Sequence, residues 1–270
     1  MTDNTYRTAD LAGAGDALRA AGEHVPTWIT KEAGNRRLPF DAGRLQRSID
    51  SVHAEFPQLD VGDYRRVVQA MVERKPSISA DDLVDLLIRE AESRVDLVAP
   101  EWEQFAARLY LRRLYKRASR NRFYDVSLKY GSYVGLQESL ADRGVYSNDI
   151  LRCYSKDELQ QAGQMIEPER DRLFAYNGLY LLATRYLASD RSRDVYELPQ
   201  ERWLTIPLYL LQDPKPRDRP MQLLVAAYSA PAPLYMTLAP PPLAHACLVR
   251  RQLCTCVSDT AAPRLLGPLL

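Results

Sequence analysis

After Asp41, a residue suited to capping a helix, Leu45, Ile49, Val52 and Phe56 recur at helical spacing on one face. A second periodic run carries Tyr64, Val67, Val68 and Met71. A third begins at Ser79, with Asp82 three residues on, and places Leu83, Leu86 and Leu87 inward. Before them, Trp28-Ile-Thr-Lys31, a Gly34-Asn35 turn and Arg36 to Pro39 predict a small β-hairpin. The pattern from Trp28 to Val95 therefore predicts a β cap over a few short helices, with Leu45, Ile49, Val52, Leu83, Leu86 and Leu87 in its core.

Beyond Pro100, which suits a first helical turn, the spacing of Trp102, Phe105 and Leu109 predicts a long helix to about Ser119. Ser155-Lys-Asp-Glu158 forms a capping box for another helix, and Asn177 to Leu187 and Gln200 to Leu211 supply two more. Asp213 to Pro220, with three prolines and alternating charge, reads as a surface connection before a last helix around Met221 to Tyr228. Leu234-Tyr-Met-Thr-Leu has strand character and runs into Pro240-Pro-Pro242. Residues 1–25 read as a mobile polar tail; Ala12-Gly-Ala-Gly15 in it is no dinucleotide loop, because no strand precedes it. The fold class is mainly α with a small β cap.

Composition narrows the function classes. The 270 residues are 46% hydrophobic and 26% charged, with a formal net charge of +1. That charge gives no field to attract nucleic acid or an anionic membrane. No run reaches the roughly 20 apolar residues of a membrane span, and the polar N-terminus is no signal peptide, so cytoplasm is the expected compartment. The four cysteines form neither a zinc pattern nor a secreted disulfide framework and read as reduced thiols. His24, His53 and His245 are too scattered for a metal site. Tyr124, Tyr130 and Tyr133 read as half-buried tyrosines on helical or loop surfaces.

Three phrases occur in one order: Cys153-Tyr-Ser-Lys-Asp-Glu-Leu, Ile166-Glu-Pro-Glu-Arg-Asp-Arg-Leu-Phe and Val195-Tyr-Glu-Leu-Pro-Gln-Glu. Their collinear order resembles the helical N-terminal region of the class I ribonucleotide reductase large (alpha) subunit. Upstream, Trp28 to Val95 resembles that family's ATP-cone, anchored by Pro39-Phe40-Asp41. Downstream, Leu234-Tyr-Met-Thr-Leu and Gln252-Leu-Cys-Thr-Cys256 resemble the start of its catalytic barrel. The resemblance implies a tail at 1–25, an ATP-cone-like domain at 26–97, a helical reductase domain at 98–212, and a connection with the degenerate start of a truncated α/β barrel at 213–270.

The resemblance also implies the chemistry. Lys31, Arg44 and Lys116 would supply cations to an ATP or dATP triphosphate acting as allosteric effector. The hairpin departs from the family pattern at Glu32, Ala33 and Leu38, and Glu32 sets a carboxylate where phosphate would sit. Cys256 takes the position of a redox cysteine and Thr255 that of a substrate-binding serine; the second redox thiol and the radical-bearing cysteine belong to the later barrel. Pro240 stands where a substrate-phosphate threonine is expected, and Pro263 and Arg264 replace an effector-site Asp-Ser pair. Thr to Pro, Asn to His and Asp to Ala are each one A-to-C codon change, a pattern of sequence error or decay rather than adaptation.

The expectation is thus a part of a ribonucleoside-diphosphate reductase alpha subunit, catalytically inactive alone and without a metal of its own. Its whole-enzyme partners would be a small radical-generating beta subunit, a thioredoxin-like dithiol donor and a second copy of itself. The alternatives are a stand-alone ATP/dATP-sensing module, which would need an output domain, and a purely structural helical protein.

Overall fold

The computed structural model describes residues 27–31, 36–212, 221–229, 243 and 246–249. Two units divide the chain, Met1–Arg113 and Leu114–Leu270. Strand β1 (Trp28–Lys31) pairs antiparallel with β2 (Arg36–Pro39), Trp28 opposite Pro39 and Lys31 opposite Arg36, as a hairpin requires. A third strand, β3 (Ser77–Ser79), lies parallel to β1 on its other side, Ile29 opposite Ile78. The sheet is therefore mixed, in the order β2-β1-β3, and the predicted hairpin accounts for two of its strands.

Helix α1 (Ala42–His53) starts where Asp41 caps it, the side chain accepting from the Arg44 amide at 3.1 Å. Leu45, Ile49 and Val52 are buried along one face. Phe56 lies past the helix end yet is still buried, tilted against Phe105 at 6.1 Å. In α2 (Gly62–Glu73) the inward residues are Tyr64, Val68 and Val72; Met71 is exposed and Val67 half-buried. Helix α3 (Ala80–Glu92) is capped by Ser79, whose hydroxyl accepts from the Asp82 amide.

The predicted core needs one correction in α3. Leu87, Ile88 and Ala91 are buried, whereas Leu83 and Leu86 are half-buried. At 3.6 residues per turn the buried arc centres on Ala91, which leaves Leu83 at its edge and Leu86 nearly opposite. Tyr64 and Trp102 each meet Phe105 edge to face and are tilted against each other in the same core, and the Tyr64 hydroxyl donates to the Leu87 carbonyl at 2.8 Å. Ile49 is fully buried, so Ile49→Ala should lower the stability of the first unit by about 2–5 kcal/mol in urea unfolding. A loss below about 0.5 kcal/mol would mean that the α1 face is not core.

Helix α4 (Glu101–Arg122) runs three residues past Ser119. It ends at Phe123, which adopts φ +57° while the Tyr124 amide donates back to the Ser119 carbonyl at 3.0 Å. This is a left-handed helix stop with an exposed phenylalanine where glycine is usual. The second unit then adds a short 3-10 helix (Val126–Leu128), α5 (Tyr133–Asp142), α6 (Asp149–Cys153), α7 (Lys156–Gly163), a second 3-10 helix (Pro168–Leu173), α8 (Tyr176–Arg185), α9 (Pro199–Leu210) and α10 (Met221–Ser229). The capping box before α7 forms as expected, Ser155 and Glu158 each bonding the other's backbone amide.

Helix α5 was not anticipated, although Ser132 caps it through the Gly135 amide and Tyr133, Leu136 and Leu140 recur at helical spacing. Tyr133 is consequently fully buried rather than half-buried. No helix among the described residues is long and apolar enough to cross a membrane. The strand expected at Leu234-Tyr-Met-Thr-Leu and the connection from Asp213 to Pro220 lie outside the described residues.

Candidate functional site

The sequence-derived sites fall in three places. Lys31 ends β1, half-buried and opposite Arg36, and Arg44 is exposed in the first turn of α1; both belong to the first unit. Lys116 is exposed on the part of α4 that belongs to the second unit. Glu32 and Ala33, together with Pro240, Thr255, Cys256, Pro263 and Arg264, lie outside the described residues. Among the described residues no cluster of His, Cys, Asp and Glu is arranged to hold a metal. His53 has a local role, its Nε2 lying 2.9 Å from the Leu59 carbonyl.

The most unusual feature of the second unit escaped the sequence pattern. The start of α9 is polar and completely buried: Glu197, Gln200, Glu201, Arg202 and Thr205 all have zero exposure. Burying so many polar groups is costly unless each finds a partner, and each does. Arg122, at the end of α4, donates to both carboxylate oxygens of Glu201 at 2.7 and 3.0 Å. Glu201 also accepts from the Leu198 amide, so one carboxylate serves as ion-pair partner and helix cap. Burial pushes Glu201 up to about 7, although the Arg122 charge and hydrogen bonds pull it down.

Gln200 bridges two groups. Its Nε2 donates to Asp171 at 3.0 Å and its Oε1 accepts from the Tyr228 hydroxyl of α10. Asp171 also accepts from Tyr115 at 2.7 Å and Tyr130 at 2.6 Å, and Tyr130 in turn accepts from the Gln200 amide. Burial lifts the Asp171 carboxyl to about 6 despite these donors and the Lys129 charge. Thr205 bonds its own helix at the Glu201 carbonyl and shares a hydrogen bond with Tyr133, to which Gln137 also donates. Tyr130 and Tyr133 are thus structural members of a buried network, and burial raises both phenols well above their ordinary range.

The third strand of this network runs through Glu197 and Arg202. Tyr146 donates to Glu197, which accepts from the Ala188 amide at 2.8 Å as well. Arg202 donates through Nε and Nη2 to the Leu243 carbonyl and through Nη1 to the Ala246 carbonyl and the Tyr146 oxygen. Cys247, next along, is buried with φ +66°. Glycine takes that conformation without cost, whereas a cysteine meets about 1–2 kcal/mol of steric strain. Burial pushes its thiol up to about 12, which makes it a poor nucleophile at neutral pH.

This network joins the second and third of the separated phrases. Asp171 of the second phrase is bonded to Gln200 of the third, and Glu197 and Glu201 of the third organise α9. The signal available in the sequence was a run of charged residues opening a helix that is otherwise apolar on every side.

Residues 172–251 match the family model described as "Ribonucleotide reductase, all-alpha domain". The chain is 33% identical over 242 residues to the ribonucleoside-diphosphate reductase subunit alpha of Synechocystis, covering 88% of this chain and 29% of that relative. It is 29% identical over 231 residues to the same subunit of Treponema pallidum, covering 82% of this chain and 24% of the relative. With the Helicobacter pylori subunit it shares 27% over 240 residues. The chain spans under a third of the length of the curated relatives it matches. Over most of its length the chain is thus similar to ribonucleoside-diphosphate reductase alpha subunits, and within that length residues 172–251 match the ribonucleotide reductase all-alpha domain.

Proposed function

We propose that this chain supplies the N-terminal helical part of a ribonucleoside-diphosphate reductase alpha subunit, whose whole enzyme reduces ribonucleotides to deoxyribonucleotides. The observation that carries the reading is the buried network at the start of α9, which bonds Asp171 of the second phrase to Gln200 of the third. In the whole enzyme the partners would be a radical-generating beta subunit and a thioredoxin-like dithiol donor. Cys256 would give one of the two electron-delivering thiols, since a thiol pair yields two electrons and is reset by exchange. Thr255 would hold substrate through its hydroxyl.

The first unit would act as an ATP-cone, with Lys31 and Arg44 attracting the triphosphate of ATP or dATP. Glu32 weakens that attraction, so binding is expected only at millimolar nucleotide. A ligand that binds the folded state raises its melting temperature by mass action. Thermal unfolding with ATP and with dATP should show a small upward shift that Lys31→Ala abolishes. A shift insensitive to Lys31→Ala but lost with Lys116→Ala would move binding to the second unit, and no shift at all would remove the nucleotide role.

These 270 residues alone should yield no deoxyribonucleotide when incubated with a matching radical-generating subunit, CDP or ADP, effector and dithiol. By the resemblance, the radical-bearing cysteine and the second thiol belong to the later barrel, and orientation lowers a barrier only when the reacting group is present. Product above background that is lost on Cys256→Ser would overturn this assignment.

A further inference from the structure

We infer that Arg202 is a positioning residue: it ties Leu243 and residues 246–249 to the buried start of α9, and so fixes the starting point of the chain that continues to Thr255 and Cys256. The inference rests on the reductase reading only in the role given to those two residues.

The geometry is specific to a guanidinium. Arg202 Nε and Nη2 both donate to the Leu243 carbonyl, at 2.9 and 2.7 Å, while Nη1 donates to the Ala246 carbonyl at 3.2 Å and to the Tyr146 oxygen at 3.3 Å. The side chain has zero exposure, and its counter-charge, Glu197, is equally buried at 3.8 Å. Glu197 is itself held by Tyr146 and the Ala188 amide, so the cation is braced from behind, and its donors go to the Leu243 and Ala246 carbonyls and to the Tyr146 oxygen. A buried charge of this kind is a poor means of gaining stability, since apolar side chains of similar volume commonly do as well. What it adds is direction: a planar fork reads two carbonyls at fixed angles, which a lysine cannot do.

Backbone bonds complete the attachment. The Ser147 amide donates to the Cys247 carbonyl at 2.7 Å and the Val249 amide to the Val145 carbonyl at 3.2 Å, with Tyr146 bridged antiparallel to Leu248. The segment is thus gripped on one side by the fork and on the other by residues 145–147. The left-handed backbone at Cys247 lies between these grips, a strained conformation that persists where its surroundings hold it.

Cys247 reports on the attachment, because its thiol is covered when the segment is held. The test uses the full chain with Cys153, Cys254 and Cys256 replaced by serine, and measures the rate at which an aromatic disulfide reagent modifies Cys247 in native buffer beside the urea midpoint. The Glu197→Gln, Arg202→Met pair removes both charges and leaves neither uncompensated. It should label at least about tenfold faster than the parent with its midpoint little changed, the mark of local opening. Arg202→Lys, which keeps the charge and loses the fork, should also label faster at an unchanged midpoint. Parental protection of Cys247 in either folded variant would overturn the inference, as would a labelling rate that rises only in step with a falling midpoint. If the double variant does not fold, the lysine variant decides. Failure of the nucleotide or reductase assays would leave these rates untouched, so the two readings fail separately.

Discussion

Replacing Glu201 with alanine is expected to destabilise the second unit by about 3–5 kcal/mol, the cost of leaving a buried charge without its partner. Arg122 keeps only 5% of its side-chain surface and Glu201 none, so water cannot take the carboxylate's place. The same substitution removes the acceptor of the Leu198 amide and with it the cap of α9. Arg122 would retain its bonds to the Tyr196 and Ser132 carbonyls, which satisfy donors without neutralising the charge. A total stability of about 5–15 kcal/mol is ordinary for a folded domain, so the variant should unfold at far lower urea. Pairing Glu201→Ala with Arg122→Met should recover part of the loss, because no uncompensated cation is then buried. A Glu201→Ala chain that unfolds at the parental midpoint would show that the pair is not buried as described.

Stability of the second unit should rise as the pH falls from about 8 to about 5, opposite to the acid sensitivity of most proteins. Burial holds Asp171 at about 6 against an ordinary 3.8, and Glu201 at about 7 against 4.5. For a carboxyl raised on folding, the native state binds its proton more tightly than the unfolded chain. Its contribution is then fully present below the unfolded value and is lost as the pH rises through the folded value. The window therefore opens near pH 4 and closes at about 6 for Asp171 and about 7 for Glu201. Each pH unit that separates the folded from the unfolded value corresponds to about 1.4 kcal/mol, so Asp171 contributes about 3 kcal/mol across its window, while for Glu201 the ion pair with Arg122 opposes the effect of burial. Asp171→Asn cannot ionise, so its stability plotted against pH should be flatter than the parent's between about 4 and 6. Parallel profiles for the two proteins, measured by urea unfolding at matched ionic strength, would mean that Asp171 enters the fold already ionised.

How far the fold was legible follows from the range over which each signal acts. Asp41 and Ser79 were readable as caps because a cap is decided within three residues. Leu45, Ile49 and Val52 were readable as core because one helix face is a matter of local spacing. The same spacing argument failed for Leu83 and Leu86: it shows that an apolar stripe exists, while the neighbour against which α3 rests selects which side of a broad stripe is covered. Pairing of β3 with β1 joins Trp28 to Ser77, and no local pattern near either residue announces the other.

The candidate site divides in the same way. By itself the sequence determined the caps, the helical runs, the hairpin and the order of the three phrases that carry the family relationship, all of them written in neighbours along the chain. The tertiary structure alone decided that Glu197, Gln200, Glu201 and Arg202 are buried, that their partners are Tyr146, Asp171, Arg122 and the Leu243 and Ala246 carbonyls, and that Cys247 takes a left-handed backbone. A charged residue ordinarily lies in water, so its burial can be known only once the distant groups that compensate it have been brought alongside.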